Sequence, residues 1–107
     1  MFVNNENIKS ENAGKGVTRK ILGRGGSLMM VEVKFEKNAE GDPHTHSHEQ
    51  VSYIANGAFE FTLNGETQIL KKGDSVYIPA DAIHGTVALE DDSIILDIFT
   101  PQREDFL

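Results

Sequence analysis

Short apolar runs, each closed within a few positions by turn residues, constrain this chain more than any other feature of its sequence. Val17 to Leu22, Leu28 to Phe35, Gln50 to Ala55, Ala58 to Leu63, Thr67 to Leu70, Ser75 to Ile78, Thr86 to Leu89 and Ser93 to Phe99 alternate or stay apolar over strand length. Between them stand Gly23-Arg24-Gly25-Gly26, Asn56-Gly57, Asn64-Gly65, Lys72-Gly73-Asp74 and Glu90-Asp91-Asp92. Asn-Gly suits a two-residue turn in which both residues take positive φ, so hairpins are expected at Asn56-Gly57 and Asn64-Gly65. No segment holds apolar residues at i, i+3, i+4 and i+7 for three turns, which argues against a substantial helix. Only Thr100-Pro101 is placed to cap and open a single turn. About eight strands at this spacing imply an all-β sandwich or small barrel, both of which limit exposed strand edges.

The 107 residues suit one domain with a real core, spanning 1–107, in which 1–16 is expected to be a loosely held arm. A net charge of −7 disfavours nucleic acid and anionic membranes as partners, because the overall field repels both. With no cysteine there are neither disulfides nor thiolate ligands. Residues 1–16 have no apolar signal core and no span approaches transmembrane length, so a cytoplasmic location is expected.

Three of the four histidines fall in His44-Thr45-His46-Ser47-His48-Glu49-Gln50, and the fourth is His84. Imidazole is the commonest protein ligand for first-row metals, and residues two apart on an extended chain point the same way. His44, His46, His48 and Gln50 can therefore share a face, while Glu49 points to the other. Pro43 biases Asp42 to an extended conformation, and Pro79 ends the strand before His84.

The segments His44-x-His46-x3-Gln50-x6-Gly57 and Gly73-x5-Pro79-x-Asp81-x2-His84 resemble the two motifs of the cupin superfamily. That resemblance implies a single-domain jelly-roll, or double-stranded β-helix, barrel. It also implies one divalent transition metal (Ni, Zn, Fe or Mn) on His44, His46, Gln50 and His84. The pattern departs at turns: the family's leading glycine falls at Asn38 with Gly41 displaced, a second glycine is Asp81, and a trailing asparagine is Ala88. Glutamine at position 50, where the family usually has glutamate, leaves a dication its full charge. One unit of charge at about 4 Å amounts to about 4 kcal/mol at an effective dielectric of about 20, before desolvation. Such a site favours an anionic, oxygen-rich ligand and acts as a Lewis acid. Four protein ligands on a tetrahedral ion would instead make the metal a staple of the fold.

Asp97 interrupts an apolar run, Ser93 to Phe99, and shares a face with Ile95 and Phe99. A carboxylate there needs a partner, a raised pKa or an open cavity. Arg103 is placed to serve either Asp97 or a bound carboxylate. Together with the histidine cluster, Asp97-x-Phe99-x3-Arg103 resembles the single-domain cupins of pectin degradation, the KdgF-like group. What this implies is ring opening and ketonisation of the unsaturated uronates released by pectin or alginate lyases. Asp97 would move protons, Arg103 would hold the carboxylate, Phe99 would wall the pocket and His48 would touch the substrate. The group also implies a homodimer. Two other readings of the same residues are a non-catalytic cupin that binds a small anionic sugar, and an iron or manganese oxygenase or isomerase.

Overall fold

The computed structural model describes residues 1–107. Ten strands form two antiparallel sheets that face each other. They are β1 (Glu11–Gly14), β2 (Val17–Gly25), β3 (Leu28–Phe35), β4 (Glu40–His44), β5 (Glu49–Asn56), β6 (Ala58–Leu63), β7 (Glu66–Lys71), β8 (Ser75–Ile78), β9 (His84–Ala88) and β10 (Ser93–Thr100). One sheet runs β1-β2-β3-β10-β5-β8 and the other β4-β9-β6-β7, the expected all-β jelly roll. Its only helical pieces are two three-residue 3₁₀ turns, Asn5–Asn7 and Glu104–Phe106. The C-terminal turn thus starts after Arg103 rather than at Thr100-Pro101, because Thr100 is still paired with Glu49 in the sheet.

Strict alternation sends Gln50, Ser52 and Ile54 of β5, and Ser93, Ile95, Asp97 and Phe99 of β10, to the inner face. Ile54, Ile95, Phe35 and Phe59 close the core at one end, with the Phe35 and Phe59 rings edge-on at 5.0 Å. Met29, Val31 and Phe99 pack toward the opposite end, and Phe61 of the second sheet packs with Ile78 of the first and Ala82 of the loop between β8 and β9. The middle of the barrel is left to polar groups. On the outer face Met30, Ile98, Val51 and Tyr77 lie side by side across four strands, with Val51 and Tyr77 exposed.

Three expectations change. Residues 11–14 lie within the stretch expected to be a loose arm, yet they pair with β2, and Asn5 bonds to Glu32 and Lys20 on neighbouring strands. The polar segment Glu40–His44 forms β4, at the edge of its sheet where Pro43 lacks no needed donor. Asn64-Gly65 makes the expected hairpin with both φ positive, at 49° and 83°. Asn56-Gly57 does not: β5 and β6 belong to different sheets, and Gly57 carries the crossing. Its φ is 73°, and an added Cβ would stand 2.9 Å from the Ser93 Cα, so packing against Ser93 decides this turn.

The departures at Asn38 and Asp81 fall where the backbone takes a conformation that glycine adopts easily. Both residues are left-handed, with φ of 69° and 65°, a region that Asn and Asp tolerate better than other side chains. Asp81 N–H also donates to the His46 carbonyl at 2.8 Å, tying the loop before His84 to the loop after His44.

Candidate functional site

A β-bulge brings the histidines together. Gly41 pairs with Thr86 and His44 with His84, so Asp42 and Pro43 together stand opposite the single residue Gly85. The extra residue turns His44 toward the same interior as His84. Gly85 permits the close approach, since a Cβ there would lie 3.0 Å from both the Gly41 oxygen and the Pro43 nitrogen. The His44 and His84 rings are 4.3 Å apart, and His46 is 5.0 Å from His84.

Each of these rings uses Nδ1 on a backbone carbonyl: His44 on Asp42 at 2.9 Å, His46 on His48 at 3.0 Å and His84 on Ala82 at 3.0 Å. With the proton on Nδ1, every Nε2 carries a free lone pair. A ligand atom from each of the three lies within 4.8 Å of the others. Burial lowers the His84 pKa to about 4 and also lowers that of His46, keeping both rings neutral at pH 7 as metal ligation requires.

Two features of this arrangement fit a bound cation. His84 Nε2 is buried without a hydrogen-bond partner. His46 Nε2 faces the Gln50 amide oxygen at 2.9 Å while Nδ1 faces the His48 carbonyl, and a neutral imidazole can donate to only one of them. Two lone pairs therefore oppose each other unless a positive ion sits between them. His44, His46 and His84 can hold a metal, and the Gln50 oxygen is aimed at the same point. The donor set of neutral imidazoles and an amide oxygen suits Ni, Zn, Fe or Mn.

The rest of Gln50 explains why this position is an amide. Its Nε2 donates to Asp97 Oδ1 at 3.0 Å and to Ser52 Oγ at 2.8 Å, and Ser52 donates to the same Asp97 oxygen at 2.7 Å. A glutamate would set two carboxylates face to face. Both donors reach Oδ1, leaving Asp97 Oδ2 without a protein partner. Burial raises the Asp97 pKa to about 6, against the lowering effect of the Ser52 and Gln50 hydrogen bonds. β10 is an interior strand, so Asp97 lies between Val31 and Ser52 rather than at a sheet edge.

A cavity of about 840 Å³ opens onto this centre, and its walls include His44, Gln50, His84, Asp97, Phe99 and Arg103. The expected wall residue Phe99 is buried, with its ring edge-on to His46 at 5.7 Å. Arg103 is not the partner of Asp97; its guanidinium pairs with Asp105. His48, expected to touch the substrate, is not among the lining residues. The chain leaves the strand after His44, so the two-residue alternation fails at His48, whose Nε2 lies 3.2 Å from the Gln102 carbonyl oxygen. Glu49 points outward and accepts from Tyr77 Oη at 2.6 Å. Ser52 has no site signature in the sequence, although it stands two residues from Gln50 on the same face of a core strand. Asp105 and Phe106 carried no comparable signal.

The family pattern described as "Cupin domain" matches residues 31–99, a span that includes all four candidate ligands and Asp97. The chain belongs to the cupin family. It is 46% identical over 98 residues to the pectin degradation protein KdgF of Dickeya dadantii (strain 3937), covering 91% of this chain and 89% of that one. The structure of KdgF from Halomonas sp. superposes with a TM-score of 0.97 at 42% identity, covering 100% of this chain and 98% of that one. An RmlC-like cupin from Shewanella frigidimarina NCIMB 400 gives 0.94 at 40% identity, covering 99% and 95%. This cupin therefore closely resembles KdgF along its whole length.

The Gln50 geometry leads to one expected result. Gln50→Glu should keep its metal but weaken binding of a uronate by roughly 10-fold or more, since it removes one net positive charge at the site. An uncharged sugar analogue should respond far less. Calorimetric titration of both ligands against both proteins tests this, and equal losses for the two would show that charge is not the cause.

Proposed function

We propose that this cupin converts 4,5-unsaturated uronates, the monomers left by pectin or alginate lyases, into linear keto sugars. The observation that carries the reading is the placement of Asp97. A carboxyl group with a pKa raised to about 6 and one free oxygen lines the same cavity as a cation-ready histidine cluster and an arginine. A group near neutrality both takes and gives protons at physiological pH. The resemblance to a pectin degradation protein over 91% of the chain supports the substrate class.

The chemistry is an isomerisation and needs no co-reactant. The ring C1–O5 bond breaks, the anomeric hydroxyl loses its proton as C1 becomes an aldehyde, and C4 gains a proton as the enol oxygen on C5 becomes a ketone. Asp97 Oδ2 is the group to accept the first proton and return one to carbon. Ser52 and Gln50 hold Oδ1 and so orient the carboxyl group. The guanidinium of Arg103 would bind the substrate carboxylate, and Phe99 would exclude water from the side of the pocket it forms. A divalent cation on His44, His46, His84 and Gln50 would supply Lewis acidity toward substrate oxygens.

Lyase-generated unsaturated galacturonate and mannuronate supply the test. The protein should accelerate loss of the conjugated ultraviolet chromophore well above the spontaneous rate, with NMR showing the linear ketone. Binding without loss of the chromophore would leave a sugar-acid binding protein, and consumption of oxygen would point to an oxygenase.

A further inference from the structure

The C-terminal turn holds Arg103 more firmly than a surface arginine is normally held. Asp105 grips it in a forked pair, with Nε to Oδ1 at 3.0 Å and Nη2 to Oδ2 at 2.8 Å. The guanidinium carbon lies 4.3 Å from the centre of the Phe106 ring and 5.3 Å from that of Phe99. Phe106 is itself held: Arg19 lies 4.0 Å from its ring centre, and Arg19 is anchored to Glu11 at 3.2 Å. A relay thus runs from the first strand through Arg19 and Phe106 to the guanidinium on the cavity wall.

We propose that Asp105 and Phe106 are positioning residues that orient Arg103 for a ligand carboxylate. The inference rests on the reading that Arg103 binds the carboxylate of a uronate. Asp105 occupies the Nε–Nη2 edge of the guanidinium, and the planar group has five N–H donors. The Nη1–Nη2 edge is left, which is the second edge able to meet a carboxylate with two parallel hydrogen bonds. The aromatic contacts limit how far the fork can move.

Charge and orientation predict opposite outcomes for losing Asp105. As a counter-ion it dampens the field of Arg103, and its removal would tighten anion binding. As a clamp it spares a ligand the cost of ordering a long side chain, and its removal weakens binding. Asp105 is 59% exposed and its charge is screened, whereas Arg103 is only 12% exposed, so orientation wins.

The experiment measures equilibrium binding of galacturonate and galactose to the metal-loaded protein and its variants. Asp105→Asn should raise the galacturonate Kd roughly 10-fold, the loss expected when a forked arginine is left free to reorient. Galactose, with no carboxylate, should bind wild type and variant alike. Asp105→Glu, which can still form a forked pair, should recover part of the loss, and Phe106→Leu should weaken galacturonate binding without lowering metal content. An Asp105→Asn protein that binds galacturonate as well as or better than wild type would overturn the proposal, as would equal losses for both sugars. Wild type that binds galacturonate but leaves unsaturated uronates unconverted would end the catalytic reading alone, because the Asp105 comparison still decides the positioning role.

Discussion

Asp97→Asn should lower turnover of unsaturated uronates by roughly 100-fold or more and at the same time stabilise the metal-free fold at neutral pH. Asparagine is nearly isosteric and its carbonyl can still accept the Ser52 and Gln50 hydrogen bonds, so the packing between Val31 and Ser52 survives. What disappears is the titrating proton. The stability effect follows from the Asp97 pKa, raised by burial from 3.8 to about 6. Near pH 3 and below, the carboxyl is largely neutral in both folded and unfolded chains and contributes little difference. As pH rises from there to about 6 the unfolded chain ionises first and stability is lost; above about 6 the full penalty of about 3 kcal/mol applies. The gain from asparagine is therefore nearly absent near pH 3 and nearly complete at pH 7. Urea denaturation of both metal-free proteins at the two pH values measures it. A variant as active as wild type would remove Asp97 from the mechanism, and one less stable at pH 7 would show that the carboxylate is not the burden its burial implies.

Metal should be worth as much to the fold as to the chemistry, and His84→Ala should abolish both contributions. The wild-type protein is expected to bind about one divalent metal per chain. Its thermal midpoint should rise with free Ni or Zn, because the unfolded chain has no preformed site; at 1,000 times the dissociation constant the gain is about 4 kcal/mol. His84 is buried, its Nε2 has no other partner, and it pairs in register with His44 from a separate motif. Removing it should make the midpoint insensitive to metal and reduce turnover to the rate in buffer. His48→Ala should leave metal content and the metal-dependent shift intact, since the Gln102 carbonyl occupies His48 Nε2. The measurement is metal content by mass spectrometry alongside thermal melts with and without chelator. Full metal in His84→Ala with loss in His48→Ala would replace the assigned ligand set.

Such effects are confined to a few side chains because the barrel interior is divided. Apolar clusters that include Phe35, Phe59, Met29 and Phe99 flank a polar middle, where Gln50, Ser52, Asp97 and His84 satisfy one another or are free to meet a cation. A polar group buried without a partner costs about 1–3 kcal/mol, so an interior of this kind persists when its members are matched. Gln50 is the matching piece, presenting oxygen to the histidines and nitrogen to the carboxylate.

Everything that depends on the two-residue period of a strand was legible in the sequence. The inner faces of β5 and β10, and with them Gln50, Asp97 and Phe99, follow from local alternation, and the Asn64-Gly65 hairpin follows from the φ angles its own residues prefer. The two-motif resemblance groups His44, His46 and His84, whose ligand atoms lie within 4.8 Å of one another. Tertiary structure alone decided where the period breaks. Glu40–His44 is too polar to read as a strand and becomes one by pairing with β9, with a bulge at Asp42-Pro43 that no local preference announces. His48 leaves the shared face because the chain bends between β4 and β5, and Asn56-Gly57 crosses between sheets because Ser93, 36 residues away, lies against Gly57. Likewise the setting of Arg103 combines a neighbour two residues away, Asp105, with Phe106 and, through it, Arg19 from the far end of the chain. Local propensity acts through the backbone of adjacent residues, whereas these positions are set by contacts between segments that meet only once both sheets have closed.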